Sequence, residues 1–289
     1  MKNRHIRRNS PSQIIAKIVL YIICILVAIM CLFPIVSLLI TVTRSGNEII
    51  GGFSFVPGTS FFKNIENLIE FLRKGEYSIA RSFLNSCFIS ILSTSVSIYF
   101  SAMVAYACHV YDFKGKAIFE KFILFLIIIP GQLGAVGFFT LVLKMHWQDT
   151  FIPFIFPAIC SPGTVFFLRQ YLKQNFSKEY VDAARMDGAN EFYIFNIICL
   201  PYIKPALATM ALFGIISSWN SFMGPMTFIS DHGLMTLPQI MYFISTAPNA
   251  AKYTGGQYMA ILITMLPMLF VYFFLSKTIM KGVSNGGLK

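Results

Sequence analysis

The chain has 289 residues, of which 56% are hydrophobic and only 12% charged, about half the charged share of an ordinary soluble domain. A soluble fold of this size covers its surface with charge, so the composition excludes one. The net charge of +11 gathers on one side of the predicted topology and reads as membrane orientation and attraction to anionic lipid, not as nucleic-acid binding.

Crossing about 30 Å of hydrocarbon takes about 20 apolar residues in a helix. Six windows hold no Asp, Glu, Lys or Arg: Ile18 to Thr43, Ser82 to Tyr111, Phe122 to Leu143, Thr150 to Leu168, Pro205 to Ser230 and Tyr253 to Ser276. Backbone groups in lipid must be satisfied within their own segment, so each window is predicted to be a helix. An even number of spans puts both termini on one side, and that side carries 16 of the 23 basic residues. With the 12 acids split six and six, the two sides hold +10 and +1 of the total charge. The richer side is cytoplasmic by the positive-inside rule, which predicts a multi-pass protein with both termini in the cytoplasm.

In chain order, residues 1–17 form a basic tail. The 26-residue apolar run that follows is longer than a secretory signal core and closes on no small-residue cleavage site, so it reads as a retained first helix. Residues 18–81 comprise that helix and a long extracytoplasmic loop. In the loop, Gly51-Gly52 and Pro57-Gly58 mark turns, and Phe61, Ile65, Leu68, Ile69 and Leu72 recur at helical spacing, predicting a short amphipathic helix. The second span sets Ser86, Ser90, Thr94, Ser97, Ser101 and Ala105 on one face. Small residues let helices approach closely in lipid, so the stripe reads first as a packing seam and second as the lining of a polar pathway. The third span carries Gln132 beside Pro130-Gly131, a polar candidate for the substrate path. In the fifth, Trp219 and Asn220 lie about 15 residues, roughly 22 Å, past Pro205, beyond mid-membrane. They read either as a ring-stacking and hydrogen-bonding pair for a sugar or as a packing Asn beside an interfacial Trp. The six cysteines show neither metal-ligand spacing nor a disulfide framework. No charge lies deep in any span and no phosphate-binding Gly-x-x-x-x-Gly-Lys-Ser/Thr loop is present. Energy for active transport must therefore come from a partner.

The longest cytoplasmic connection between spans, residues 173–204, joins the fourth and fifth. It reads as helix, turn, helix. Ser177 offers an N-cap, Glu179 and Asp182 favour the positive helix end, Gly188 suits a left-handed stop, Asn190 caps a second helix and Pro201 ends it. Paired Ala183 and Ala184 allow close approach of another surface, with Asp182, Arg185 and Asp187 as polar contacts.

The order Asp182-Ala183-Ala184, three residues, Gly188, nine residues, Ile198-Cys199-Leu200-Pro201 resembles the Glu-Ala-Ala signature of permease subunits in bacterial ABC importers, matching six of its seven fixed positions. The departure is Asp182 in place of Glu, which keeps the charge on a shorter arm. Tyr106-Ala107, Phe113-Lys114-Gly115-Lys116, Asp187-Gly188-Ala189, Pro205-Ala206-Leu207 and Ser218-Trp219-Asn220 are similar to the carbohydrate branch, with Ser221 where that branch commonly has Asp. The resemblance covers about Ser82 to the C-terminus. It implies an all-α membrane protein of six transmembrane helices, with a permease core over 82–281 and a cytoplasmic tail over 282–289. It also implies a coupling helix around 178–188 that docks on an ATPase through Glu179, Asp182, Ala183, Ala184, Arg185, Asp187 and Gly188. The expected function is that of a non-catalytic permease subunit that moves a sugar or oligosaccharide by alternating access. Its implied partners are a second permease subunit, a cytoplasmic ATPase dimer holding ATP and Mg, and an extracytoplasmic solute-binding protein; the chain itself needs no cofactor or metal. An ABC importer for another solute, such as a polyamine, phosphate or peptide, is the main rival. A lone secondary transporter would need buried ionisable residues, and an intramembrane serine protease a Gly-x-Ser-x-Gly-like setting; neither is present.

Overall fold

The protein is described here by a computed structural model covering residues 11–159, 161–247 and 250–286. The tail residues Lys2, Arg4, Arg7 and Arg8, together with Cys160 and Lys289, lie outside the described residues. Among those described, the secondary structure is helical throughout. The described cysteines, Cys24, Cys31, Cys87, Cys108 and Cys199, are free thiols.

In chain order the helices are α1 (Pro11–Thr41), α2 (Gly46–Ile50), α3 (Phe61–Lys74), α4 (Ile79–Val110), α5 (Lys116–Ile128), α6 (Ala135–Lys144), α7 (Ile152–Ile155) and α8 (Pro162–Asn175). There follow α9 (Glu179–Met186), α10 (Glu191–Tyr193), a π-helical turn over Ile194–Cys199, α11 (Leu200–Tyr202), α12 (Lys204–Trp219), α13 (Met223–Phe228), α14 (Leu237–Thr246) and α15 (Ala250–Gly286). Four stretches, Ile15–Thr41, Ile79–Val110, Ile152–Asn175 and Lys252–Phe273, are long and apolar enough to cross a bilayer. Two bent pairs, Lys116–Ile128 with Gly131–Lys144 and Glu191–Tyr202 with Lys204–Trp219, bring the number to six if each pair is one crossing.

Three predicted spans are not single straight helices. The fourth is made of α7, a 3-10 turn over Pro157–Ile159 and α8, with Ser161 extended before α8. The third turns by 88° between its halves. Its corner follows from Pro130, which lacks an N–H and bars the α conformation at the residue before it; Ile129 is accordingly extended (ψ 123°). The fifth ends at Trp219, eleven residues short of the predicted Ser230. There the Asn220 side-chain amide donates to the Ile216 carbonyl, 2.9 Å away, and its backbone N–H also reaches Ile216. A short polar side chain that competes for backbone partners closes the helix. Residues 223–228 then form the separate α13.

The chain divides into two compact units, one of residues up to Phe71 with Ile244–Leu262, the other of Leu72–Phe243 with the chain from Ile263 on. In the first, α1 exposes apolar side chains all round from Ile18 to Phe33, the pattern of a lipid-facing span. The predicted loop helix forms as α3, burying Leu68, Phe71 and Leu72 while Ile69 points out. Asn64 of α3 is 1% exposed and donates to the carbonyls of Val42 and Arg44 at 2.9 and 2.8 Å, closing the end of α1. The start of α15 lies on this contact. A Cβ at Gly255 would sit 1.9 Å from Asn64 Oδ1, Tyr253 meets Phe71 edge-on at 5.5 Å, and Lys252 pairs with Glu70 at 2.8 Å.

In the second unit α4 is the axis, packed along α8 and α12. The small-residue stripe is the seam: Ser86, Ser90, Thr94, Ser101 and Ala105 are buried. Where α12 crosses, Gly214 approaches so closely that a Cβ there would come 2.7 Å from the Thr94 methyl. Toward the C-terminal end of α4, Ala102, Ala105, Tyr106, Leu168, Leu172 and Phe176 form a core with residues of the 173–204 loop.

Replacing Gly255 by Ala forces its contact with Asn64 open. We expect a loss of about 1–3 kcal/mol, read as a fall of several degrees in the thermal-unfolding midpoint of the detergent-solubilised protein.

Candidate functional site

The loop folds as helix, stop, helix. The Ser177 hydroxyl accepts the Glu179 N–H at 3.2 Å and α9 begins at Glu179, one residue later than a Ser177 cap would place it. Gly188 takes φ +81°. Its N–H bonds the Arg185 carbonyl and the Ala189 N–H bonds that of Ala184, both at 3.0 Å. These two bonds make the Schellman stop that glycine favours at this position. Asn190 then accepts the Tyr193 N–H at 2.8 Å as predicted. Pro201 does not end the second helix. It stands in the first turn of α11, where its missing N–H costs little, and the chain turns by 78° only beyond Tyr202.

The two alanines have different roles. Val181 and Ala184 face inward and belong to the same core as Tyr106, Leu172 and Ile194. Glu179, Asp182, Ala183, Arg185, Met186, Asp187 and Gly188 are exposed. Met186 is 88% and Phe192 67% exposed, two large apolar side chains in this loop that periodicity does not single out. Their only sequence signal is that they flank an otherwise polar corner.

The link from α9 to the spans is electrostatic as well as apolar. Glu191 accepts three hydrogen bonds: from Arg185 Nε at 2.6 Å, Tyr111 hydroxyl at 2.5 Å and Tyr106 hydroxyl at 3.2 Å. Arg185 also reaches Asp182 at 3.3 Å and lies 5.8 Å over the Tyr111 ring. Arg185 thus ties α9 to Glu191, and Glu191 ties both to the C-terminal end of α4. Hydrogen bonding from Arg185 holds the Glu191 carboxyl below its ordinary value of 4.5, with the Tyr111 and Tyr106 hydroxyls acting in the same direction against partial burial. Glu191 stands 85 residues from Tyr106 and 80 from Tyr111 in the chain, so sequence spacing offered no sign of the cluster. Nearby, Asp112 pairs with Lys116 at 2.9 Å and Lys178 at 3.3 Å, and both cations hold its carboxyl below the usual range. Glu120 of α5 meets Arg169 of α8 at 2.5 Å.

Farther along α4 lies a cavity of about 520 Å³, bounded by α4, by α12 and by the chain around α7 and the start of α8. Trp219 borders it, is 4% exposed, donates its indole N–H to the Thr264 carbonyl at 3.2 Å and packs edge-on against Phe83. Asn220 is exposed at the end of α12, and Gln132 is exposed in the 3-10 turn Gly131–Gly134, so the three predicted pathway residues do not converge. No group of three or more potential metal ligands occurs among the described residues.

Removing Glu191 strands two tyrosine hydroxyls and a guanidinium. Glu191→Ala should raise amide hydrogen exchange across residues 179–190 at least tenfold, the effect of about 1.5–3 kcal/mol for a hydrogen bond to a charged group. A carboxyl with a lowered folded pKa stabilises above its unfolded pKa and loses that contribution as pH falls through the folded value. Exchange in wild type should therefore be flat from pH 7 to 5 after correction for intrinsic rate, and rise only below 4.5.

Residues 97–285 match the family model described as binding-protein-dependent transport system inner membrane component. The arabinooligosaccharides transport system permease protein AraQ of Halalkalibacterium halodurans is 34% identical over 270 residues, covering 91% of this chain and 93% of the relative. AraQ of Bacillus subtilis is 30% identical over 288 residues, covering 98% and 99%. Among solved structures, a bacterial ABC transporter that imports the acidic polysaccharide alginate has a chain of the same fold, with TM-score 0.78 and 24% identity over 93% of this chain and 98% of that one. The match across most of its length, on a chain whose apolar helices and helix-stop-helix loop are those the signature implies, places this protein in the family of binding-protein-dependent transport system inner membrane components.

Proposed function

We propose that the chain is a membrane-spanning subunit of an ATP-driven importer of a sugar or oligosaccharide. The carrying observation is α9: a helix with an inner face built into the core of α4 and α8, and an outer face left to a partner. The substrate class is supported by the relatives, named for arabinooligosaccharide transport and, at 28% identity, for trehalose/maltose transport in Thermococcus litoralis. The alginate importer supports the fold alone.

In this reading both termini and the 173–204 loop face the cytoplasm. Ala183, Met186 and Asp187 meet an ATPase subunit of a dimer that holds ATP and Mg; Asp182 and Arg185 set the pose of α9, Glu179 stands at its start, and Gly188 supplies the corner. Closure of the ATPase pair pushes on α9, and the Arg185 to Glu191 to Tyr106 bonds pass the displacement to α4. A second permease subunit completes the pathway, and a solute-binding protein delivers the sugar from outside. Trp219, Asn220 and Gln132 are the pathway candidates within this chain, Trp219 through the apolar ring it presents to the cavity. The chain itself hydrolyses nothing. Spans without deep charges offer no ion-coupling site, which favours this over secondary transport.

The test is uptake of radiolabelled arabinotriose, maltotriose and raffinose into proteoliposomes holding the co-purified complex. Ala183→Arg, on an exposed face, should leave the permease folded yet cut ATPase co-purification and uptake at least tenfold. Gly188→Pro should do the same, because proline cannot adopt φ +81°. Normal transport by both variants, or movement of sugar by this chain alone without ATP, would overturn the proposal.

A further inference from the structure

A second cleft, of about 760 Å³, lies where the end of α4 meets α5, α8 and the link into α9. Four cations line it, Lys116, Arg169, Lys173 and Lys178, with one carboxylate, Glu120. Glu120 is taken by Arg169 at 2.5 Å. Lys116 and Lys178 meet over Asp112, one to each carboxylate oxygen, at 2.9 and 3.3 Å. Lys173 is exposed and has no ion-pair partner among the described residues. Four cations against two carboxylates leave the cluster at +2. Positive residues at the ends of spans are common, but these come from three separate elements and converge on one cleft. Like charges gathered in this way repel one another unless an anion stands among them. The wall of the cleft continues as hydrocarbon. Ile118 lines it and is 75% exposed, and Phe122 and Phe125 follow on the same face of α5, both exposed. From Ile118 to the end of α5 this strip runs roughly 15 Å, the depth of one leaflet of a bilayer core about 30 Å thick.

We propose that the cleft holds the phosphate headgroup of an anionic phospholipid, with an acyl chain laid along Ile118, Phe122 and Phe125. Ammonium and guanidinium groups are natural partners of phosphate oxygens, and hydrogen bonds between ionised groups are the stronger sort. Basic pockets between membrane helices take such headgroups. A zwitterionic lipid brings its own cation into a cleft that already has an excess of them, so it gains less. The strip lets a lipid keep its chains in hydrocarbon while its headgroup reaches the cations; a soluble phosphate has no such anchorage. The inference needs only that the chain spans a membrane. That the leaflet is the cytoplasmic one rests on the orientation proposed above.

The test is native mass spectrometry of the delipidated, detergent-solubilised complex, titrated with phosphatidylglycerol or with phosphatidylcholine of the same acyl chains. Phosphatidylglycerol should bind at least fivefold more tightly. Lys116→Gln combined with Lys173→Gln should weaken it fivefold or more while leaving phosphatidylcholine within twofold, which also shows that the variant is folded. Lys116→Arg with Lys173→Arg should stay within twofold of wild type. So should Lys114→Gln with Lys121→Gln, which removes two neighbouring cations that do not line the cleft. Glycerol phosphate, a headgroup without chains, should not displace the lipid at a hundredfold excess. Equal affinity for the two lipids, a Lys116/Lys173 glutamine variant no weaker than the Lys114/Lys121 one, or displacement by glycerol phosphate, the mark of a soluble-phosphate site, would each overturn the inference. Selective binding that needs Lys116 and Lys173, in a complex that shows no ATP-dependent sugar uptake, would uphold the site and remove the transport reading instead.

Discussion

Two helices in lipid gain nothing from hiding apolar surface, so they stay together only where their backbones can come close. In this protein that condition is met along α4. Ser86, Ser90, Thr94, Ser101 and Ala105 keep one face of it narrow, and Gly214 removes the last obstacle from α12. The cavity, the core beneath α9 and the tie to α9 all refer to that one rod. The same economy explains why the stripe is both of the things its composition suggested. Most of it is seam, and Thr94 with Ser97 borders open space. The cost is visible as buried hydroxyls at Ser82, Ser90, Thr94 and Ser101 without partners.

The core beneath α9 joins two kinds of interaction that respond differently to force. Apolar contacts of Val181 and Ala184 with Tyr106 and Leu172 hold α9 against the spans with no preferred direction. The Glu191 carboxylate adds direction, because its three donors come from α9, from the last turns of α4 and from Tyr111 just beyond its end. Charge-assisted bonds of this kind are the stronger sort. Their presence beside the one glycine in left-handed conformation in this loop gives the corner a defined angle.

What the sequence disclosed, and what it withheld, divides along sequence distance. Local chemistry was legible: Gly188 had to be left-handed, Asn190 had to cap, Phe61 to Leu72 had to make an amphipathic helix, and charge-free windows had to be helical. Where a local rule met a stronger neighbour, the reading missed. Pro201 looked like a stop but sat in a first turn, and the corner fell beyond Tyr202. Asn220 looked like a residue within a span, yet its own side chain bonded back to Ile216 and closed the helix. The inward turn of Ala184 and outward turn of Ala183 needed the core to be known. The gathering of Tyr106, Tyr111 and Arg185 on Glu191 joins parts of the chain that no periodicity connects, and the cavity exists only because three separate segments fail to fill the space beside α4.

The length of α4 has a mechanical consequence. Its 32 residues span about 48 Å, well beyond the roughly 30 Å of the hydrocarbon layer. Thr94 and Tyr106 therefore lie on one stiff lever, about 18 Å apart. A tilt of about 5° pivoting near Tyr106 would carry Thr94 about 1.6 Å sideways, roughly half a hydrogen-bond length. A movement of that size is enough to make or break the contacts of a single hydroxyl, so the rod needs neither to bend nor to unwind for its two ends to feel one another.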